Sequence, residues 1–260
     1  MSALPAEHPV LSTHGLTVRF GGHVAVDGVS AEFRRGTLTA IVGPNGAGKT
    51  TYFNLVSGQL AATAGTVRLF GEDVTRLTAP QRAQRGIGRA FQLTQLFPNL
   101  TVIENVRLAV QSRARMGLNL LSLCSRHVEL VEKAEHYLAR VCLAERRGAQ
   151  AATLSHGEQR KLEVAILLAL EPQVLMFDEP TAGMSRDEVP VILDLIQHIR
   201  DQGDRTVLLV EHKLEVVRSL ADRILVLHDG RLVADGDPAT VMASDIVREA
   251  YLGTGMDGDG

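Results

Sequence analysis

Residues 43–50 read Gly43-Pro44-Asn45-Gly46-Ala47-Gly48-Lys49-Thr50, a G-x-x-x-x-G-K-T pattern. The apolar run Leu38–Val42 before it predicts a buried strand, and Thr51–Val56 after it predicts a helix. In that context the pattern indicates a phosphate-binding loop. The glycines let backbone N–H groups close on a polyphosphate, and the N-terminus of the helix attracts the anion. The alternative is a glycine-rich turn that only happens to precede a helix.

Two side chains of this loop are expected to do specific chemistry. Lys49 is predicted to reach the β- and γ-phosphates of a bound nucleotide, and the Thr50 hydroxyl is predicted to ligate Mg²⁺. The predicted nucleotide contacts run from Gly43 through Thr51.

Composition places the chain among ordinary globular proteins. It has 260 residues, of which 45% are hydrophobic and 22% charged, which is enough for one substantial core with or without a small lobe. A net charge of −3 gives no support for a nucleic-acid partner. The two cysteines, Cys124 and Cys142, are expected to be small buried hydrophobes in a reducing compartment.

The chain is expected to lack export and membrane-spanning segments. Its first eight residues have no basic region followed by an apolar block, so we expect no export signal. The longest apolar run, Val164–Leu170, is far shorter than the roughly 20 residues that a membrane-spanning helix needs. We therefore predict a soluble, cytoplasmic protein that can still lie against a membrane protein.

The pattern of elements predicts an α/β fold. Residues 10–33 alternate like short antiparallel strands with a turn at Gly21-Gly22, whereas 174–177, 206–210 and 223–228 are continuous apolar strands separated by helices. The latter predict a parallel sheet covered on both faces. Asp229-Gly230 predicts a hairpin.

Residues 95–152 are predicted to form an α-helical insertion, opened by a capping box at Thr101 and Glu104. Its most apolar part, 116–123, is either a packed helical core or a surface for a partner or lipid. The chain is predicted to end in a helical tail at 238–252 and a disordered segment at 253–260.

Two acids follow the strand predicted at 174–177. Asp178 is placed to hold Mg²⁺, directly or through water, as in other phosphate-loop NTPases. Glu179 can polarise an attacking water as general base, a role that typically contributes about 10²–10⁴-fold. The alternative is a strand that ends in a solvated acidic turn.

A second helix start lies at Leu154-Ser155-His156-Gly157-Glu158. Ser155 and Glu158 have the spacing of a capping box, which predicts a helix through about Leu170. A helix N-terminus that offers a serine hydroxyl and backbone N–H groups is also a good receptor for a γ-phosphate. A nucleotide bound at residues 43–51 already has the N-terminus of the helix that follows this loop. The second helix N-terminus therefore suits the phosphate of a different nucleotide. The alternative is that Ser155 and Glu158 only cap their own helix.

With these motifs, the chain resembles the ATP-binding subunits of ABC transporters over about residues 10–235. The motifs occur in the family's order: the phosphate loop, Gln92 after a strand, the Leu154–Glu158 signature, Phe177-Asp178-Glu179-Pro180, and His212 after a later strand. A closer likeness to importers of the branched-chain amino-acid type, including the urea and amide branch, lies in residues 89–92, 96–105, 210–213 and 249–253.

The resemblance implies the fold and its division. The fold is a phosphate-loop NTPase with a RecA-like parallel sheet core, an antiparallel β subdomain and an inserted α-helical subdomain. The ATPase domain spans 10–235, with its core at 10–94 and 153–235 and the helical subdomain at 95–152. A C-terminal helical tail with a disordered end occupies 236–260.

The resemblance also implies that the cofactors are ATP and Mg²⁺. Phe20 matches the aromatic residue that stacks on adenine, although a core phenylalanine is the alternative. Gln92 contacts Mg²⁺ and the attacking water, and His212 grips the γ-phosphate beside Glu179. On the residues alone, Gln92 could equally be a surface polar residue and His212 a structural one. Thr50, Gln92 and Asp178 are then the metal contacts.

The signature implies pairing of two subunits. By resemblance Ser155, Gly157 and Glu158, flanked by Leu154 and His156, bind the ATP of an opposing subunit, so that two ATP molecules lie between a head-to-tail pair. A heterodimer is favoured, and a homodimer is the alternative. The other implied partners are transmembrane permease subunits, docked by the helical subdomain, and an extracytoplasmic solute-binding protein.

Three positions depart from the family pattern. His156 replaces the usual glycine, which the importer branch tolerates, and Ser185 stands where many members have aspartate. Pro190 falls within a predicted helix and is compatible with it only within the first turn, if the helix starts near Asp187.

These features together imply an ATPase at the cytoplasmic face of the inner or plasma membrane that powers an importer of branched-chain amino acids or related small polar solutes. The alternatives are an exporter-type or lipid-extracting ATPase, a soluble ATPase acting on DNA or ribosomes, and a phosphate-loop kinase. A phosphate-loop kinase would not require the signature or His212.

Overall fold

A computed structural model describes residues 9–90, 96–114 and 125–244, with the backbone alone for residues 125–127. The strands are β1 (Leu11–Phe20), β2 (His23–Phe33), β3 (Leu38–Val42), β4 (Ala64–Leu69), β5 (Glu72–Asp73), β6 (Ile87–Ala90), β7 (Val174–Asp178), β8 (Thr206–Val210), β9 (Arg223–His228) and β10 (Arg231–Gly236). The helices are α1 (Lys49–Ser57), α2 (Ala79–Gln84), α3 (Val102–Arg113), α4 (Ser125–Arg140), α5 (His156–Ala169), α6 (Val189–Asp201), α7 (Leu214–Leu220) and α8 (Pro238–Ala243), with short 3-10 turns at Ala144–Arg146 and Ala151–Thr153.

The chain forms two compact units. The first comprises Met1–Ile87, Gln173–Glu179 and Gln197–Gly260, and the second comprises Gly88–Pro172 and Pro180–Ile196.

The first unit is built on the strands β10-β9-β3-β8-β7, which are hydrogen-bonded in that order. Strand β3 pairs in parallel with β8 and β9, and β7 pairs in parallel with β8. Alternate side chains of β3 enter different cores, because Ile41 belongs to the cluster that includes helix α1 whereas Ala40 and Val42 pack with Val217 of α7 and Val241 of α8. Both faces of the sheet are therefore buried, which explains the continuous apolar strands.

A four-stranded antiparallel sheet, with the order β2-β1-β4-β5, completes the first unit. Its side chains share one hydrophobic core with α1. A buried hydrogen bond of 2.9 Å joins the Tyr52 hydroxyl of α1 to Thr13 Oγ1 of β1. Helix α1 is thus fixed to both sheets.

The second unit is mainly helical, with α3, α4 and α5 packed on one another. Thr101 caps α3 in a capping box with Glu104, as predicted, and Val106, Leu138 and Leu162 of the three helices are fully buried. The apolar stretch 116–123 lies outside the described residues.

The predicted fold class is confirmed, and so is the hairpin between β9 and β10. Asp229 and Gly230 both have positive φ angles, 47° and 76°, as a two-residue type I′ turn requires. Pro190 is the second residue of α6, where its missing N–H costs no helical hydrogen bond. Of the predicted tail, α8 is described, and residues 245–260 lie outside the description.

The prediction that Cys142 is buried is wrong. Helix α4 ends at Arg140, and Cys142 lies in the following turn with φ 55°, so it leaves the apolar face that continues through Val141. Cys124 lies outside the described residues. In the described part of the chain, no helix combines the length and the apolar character needed to cross a membrane.

Candidate functional site

The loop between β3 and α1 is closed on one side and open on the other. A Cβ atom at Gly43 would lie 2.1 Å from the Leu227 carbonyl oxygen, and one at Gly48 would lie 2.5 Å from that of Ala25. Both positions therefore need glycine to let the loop rest against the neighbouring backbone. At Gly46, by contrast, a Cβ would meet no atom within 4 Å, and Asn45 beside it is exposed. The open side leaves room for a ligand over the start of α1.

Lys49 is the first residue of α1 and its side chain is buried. Its Nζ atom donates to the carbonyl oxygens of Gly43 and Pro44, each at 2.8 Å. Burial lowers the pKa of Lys49, and the carboxylates of Glu179 and Asp178 oppose that shift by raising it. The loop thus holds a lysine cation that has lost part of its hydration, and the two carboxylates compensate this loss only in part. Such a site favours the binding of an anionic ligand.

Two acids lie at the carboxyl end of β7. Asp178 is buried and is paired in register with Val210 of β8. Glu179 follows with φ 49°, a conformation that is uncommon for a residue other than glycine. Its backbone N–H donates to the Val210 carbonyl at 3.0 Å, which continues the pairing of β7 with β8 by one residue.

Because the pairing of β7 with β8 continues by one residue, Glu179 lies close to His212. The Nε2 atom of His212 lies 2.6 Å from Oε1 of Glu179. The buried carboxylate of Glu211 accepts hydrogen bonds from the backbone N–H groups of His212, at 2.9 Å, and Lys213, at 3.4 Å. The role of Glu211 was not predicted from the sequence, although an acidic residue between an apolar strand and a histidine is a pattern that indicates such a turn.

Phe20 ends β1 with 51% of its surface exposed, so the alternative that it is a core residue is wrong. It is paired with His23, and Val18 two residues earlier is paired with Val26. The Val26 side chain lies 3.6 Å from the place of a Cβ at Gly48. Phe20 therefore ends β1 two residues beyond the pairing with the part of β2 that lies against Gly48.

The oxygen donors near the loop suit a hard cation. Thr50 lies in the first turn of α1, and the Asp178 carboxylate acts electrostatically on the neighbouring Lys49. The described residues contain no group of three or more histidine, cysteine, aspartate or glutamate side chains that could hold a metal by themselves. A hydroxyl and one carboxylate fit Mg²⁺ that completes its shell with phosphate oxygens and water. Gln92, the third predicted metal contact, lies outside the described residues.

The second predicted site is a well-formed helix start in the other unit. Ser155 is the N-cap of α5: its Oγ accepts the Glu158 N–H at 3.2 Å, and Glu158 Oε2 accepts the Ser155 N–H at 2.9 Å. Glu158 also forms an ion pair with Arg146 at 3.2 Å. Ser155 and His156 are exposed, whereas Leu154 and Gly157 are buried. Since the Ser155 oxygen acts as acceptor in the cap, its hydroxyl proton can be donated outward.

A further carboxylate, that of Glu188, lies at this helix start. Its Oε1 accepts the Gly157 N–H at 3.0 Å, and its Oε2 accepts the N–H of Ser185 at 3.2 Å and its hydroxyl at 3.1 Å. Ser185, the departure from aspartate, is thus engaged in a local cap. Sequence reasoning missed Glu188, which has capping-box spacing from Ser185.

Comparison with known proteins supplies the deciding observation. Residues 26–182 match the family described as "ABC transporter", and residues 231–257 match the one described as "Branched-chain amino acid ATP-binding cassette transporter". The chain belongs to the ABC transporter family. Its ATPase activity is that of an ATP-binding cassette coupled to transport.

Individual ABC proteins match over almost their whole length. The "High-affinity branched-chain amino acid transport ATP-binding protein LivG" of Escherichia coli (strain K12) is 38% identical over 250 residues, covering 94% of this chain and 98% of LivG. The protein of the same description named BraF, from Pseudomonas aeruginosa, is 38% identical over 252 residues with the same coverage.

Solved ABC cassettes share the fold. The crystal structure of the ADP conformation of MJ1267, an ATP-binding cassette of an ABC transporter, superposes with a TM-score of 0.81 at 30% identity, covering 94% of this chain and 98% of the other. CbiO1 from Clostridium perfringens, part of the ABC transporter complex cbiONQ, has a TM-score of 0.78 at 26% identity, covering 95% and 96%. The predicted family, fold class and ATPase activity are confirmed.

Proposed function

We propose that this ABC ATPase energises the uptake of branched-chain amino acids or related small polar solutes. The observation that carries the proposal is the 38% identity to LivG and BraF over 94% of the chain, which extends into the C-terminal match at 231–257. No described feature favours export or lipid extraction over uptake.

The residues of the first unit suit a hydrolytic site. Bound Mg²⁺ and ATP supply a polarised γ-phosphate, and we assign Mg²⁺ to Thr50, Asp178 and Gln92. Lys49 exchanges the two loop carbonyls that it now contacts for phosphate oxygens, and Phe20 stacks on the adenine. Glu179 holds His212 with Oε1, which leaves Oε2 to take the proton of the attacking water. His212 thereby orients the base and grips the γ-phosphate.

The signature suits the ATP of an opposing subunit. Ser155 offers an outward hydroxyl at the N-terminus of α5, where the helix dipole favours negative charge, so an anion held by another chain can bind there. We propose that Leu154–Glu158 of each subunit covers the nucleotide on the Lys49 loop of the other. The second subunit in this proposal is a different ATPase chain, with a homodimer as the alternative.

The complete system in this proposal includes transmembrane permease subunits and an extracytoplasmic solute-binding protein. The ATPase lies at the cytoplasmic face of the membrane and does not span it. Its ATPase domain is 10–235, with the helical subdomain 95–152 docking the permease and 236–260 forming a tail.

Solute uptake by intact cells tests the proposal. A strain that lacks this chain should lose most high-affinity uptake of labelled leucine, isoleucine and valine, or of urea and short amides. The wild-type chain should restore uptake, and the Lys49→Ala variant should not, since it lacks the phosphate-binding cation. Unchanged uptake of all these solutes in the deletion strain would contradict the proposed importer.

A further inference from the structure

The Glu188 carboxylate bridges two segments of the second unit. Oε1 lies 3.0 Å from the Gly157 N–H in the first turn of α5, and Oε2 lies 3.2 Å from the N–H and 3.1 Å from the Oγ of Ser185. A Cβ at Gly157 would lie 2.5 Å from Oε1. The glycine of the signature therefore makes room for this carboxylate.

The bridge is held by an ionised acid. Backbone and side-chain hydrogen bonds from Ser185, together with the one from Gly157, hold the pKa of Glu188 below its usual range. An anion at the first turn of a helix satisfies an N–H group that has no partner within the helix and is favoured by the helix dipole. A γ-phosphate at the same helix start would be favoured for the same two reasons.

We propose that Glu188 is a displaceable stand-in for the γ-phosphate, a positioning residue that holds the Gly157 N–H until the nucleotide of the opposing subunit takes it over. The inference rests on the proposed pairing of subunits through the signature. Because the same carboxylate holds Ser185, its displacement also loosens the segment that follows Glu179 in the chain. When the two subunits close, the γ-phosphate thus replaces the Glu188 carboxylate as the acceptor of the Gly157 N–H.

Amide hydrogen exchange in the nucleotide-free chain tests the contact itself. Glu188→Ala should speed exchange in the segment 155–158, because the Gly157 N–H loses its acceptor. Asp187→Asn is the matched control, since it removes a neighbouring charge but no acceptor of the Gly157 N–H, and it should leave the segment unchanged. Equal exchange in wild type and Glu188→Ala would overturn the inference.

The ATP dependence of the assembled transporter, purified through a tag on this chain, tests the competition. Glu188→Gln keeps the size of the side chain but removes the charge, so the MgATP concentration for half-maximal hydrolysis should fall by about two- to fivefold, as for an exposed charge interaction. A merely structural role would predict an equal or higher concentration, and that result would overturn the inference. Asp187→Asn should leave the value unchanged.

One more variant separates the two proposals. Ser155→Ala should abolish ATP-dependent closure of the pair, measured by cross-linking with MgATP. If closure persists in Ser155→Ala, the pairing through the signature is itself wrong, and the inference falls with it. If Ser155→Ala prevents closure but Glu188→Gln has no effect on half-saturation, the inference alone is wrong.

Discussion

The Nε2 atom of His212 lies 2.6 Å from Oε1 of Glu179, although the two residues are 33 positions apart in the chain. Asp178 and Val210 are register partners in the adjacent parallel strands β7 and β8. Each functional residue follows its strand by one or two positions, so the sheet itself sets their separation. Glu211 then fixes the turn from which His212 projects.

Replacing Glu179 by glutamine should stop turnover without preventing ATP binding. The amide keeps the size of the side chain but cannot take a proton from water, so hydrolysis should fall by about 10²–10⁴-fold. We expect the variant to accumulate a closed, ATP-loaded pair. Phosphate release and equilibrium binding of ATP measure the two effects, and a normal hydrolysis rate with all partners present would remove Glu179 as the base.

Nucleotide binding should weaken at alkaline pH because of Lys49. Burial lowers the pKa of Lys49 in the free chain, so its charge is lost at a lower pH than that of an ordinary lysine. Affinity should fall as pH rises through that pKa. Lys49→Ala should bind weakly throughout and show little of this dependence. Titrations of the chain with MgATP between neutral and alkaline pH measure the effect; an identical pH profile in both proteins would contradict it.

Phe20→Ala should weaken ATP binding without altering stability. The side chain is half exposed, so its loss removes little from the core, whereas stacking of a base on an aromatic ring contributes about 1–3 kcal/mol. Phe70→Ala is a matched control, because Phe70 is exposed to a similar degree, 54%, and is not among the predicted nucleotide contacts. Calorimetric titration with ATP should separate the two variants, and equal affinities would exclude stacking on Phe20.

Gly48→Ala and Gly46→Ala should differ in stability although both residues have positive φ angles, 91° and 82°. Each alanine costs about 1–2 kcal/mol in the left-handed conformation. At Gly48 the added Cβ also lies 2.5 Å from the Ala25 carbonyl oxygen, whereas at Gly46 it meets nothing. Urea unfolding should show the larger loss of unfolding free energy for Gly48→Ala; equal losses would mean that the Ala25 backbone moves away freely.

Arg82→Met should be strongly destabilising. The buried guanidinium donates to the carbonyls of Leu55 at 2.6 Å and Val56 at 2.7 Å, in the last turn of α1, and to those of Thr75 and Leu77. Burial lowers its pKa to about 10, which leaves it charged at neutral pH. Without these donors the carbonyls are unsatisfied, so we expect a loss of about 3 kcal/mol or more.

Arg85→Met provides the control for that variant. Arg85 is the exposed C-cap residue of the same helix, and its replacement should change the free energy of unfolding by less than about 0.5 kcal/mol. Similar losses in the two arginine variants, measured by thermal or urea unfolding, would show that the buried hydrogen bonds of Arg82 contribute little.

Features that depend on a few adjacent residues were predictable from the chain alone. The capping boxes at Thr101 and Ser155 and the hairpin at Asp229-Gly230 are each satisfied by contacts within about four residues. Local patterns were sufficient because the interactions that stabilise these features are themselves local. The burial of Cys142 was mispredicted because periodicity does not reveal where a helix stops.

Relationships between distant residues were decided only by the tertiary structure. The contact of His212 with Glu179, the burial of Lys49 near two acids and the bond of Glu188 to Gly157 each join segments that lie far apart in the chain. They follow from the register between paired strands of the sheet and from the packing of helices. No local sequence pattern specifies these long-range contacts. The free energy that stabilises them comes from burying the apolar faces of helices and strands against one another.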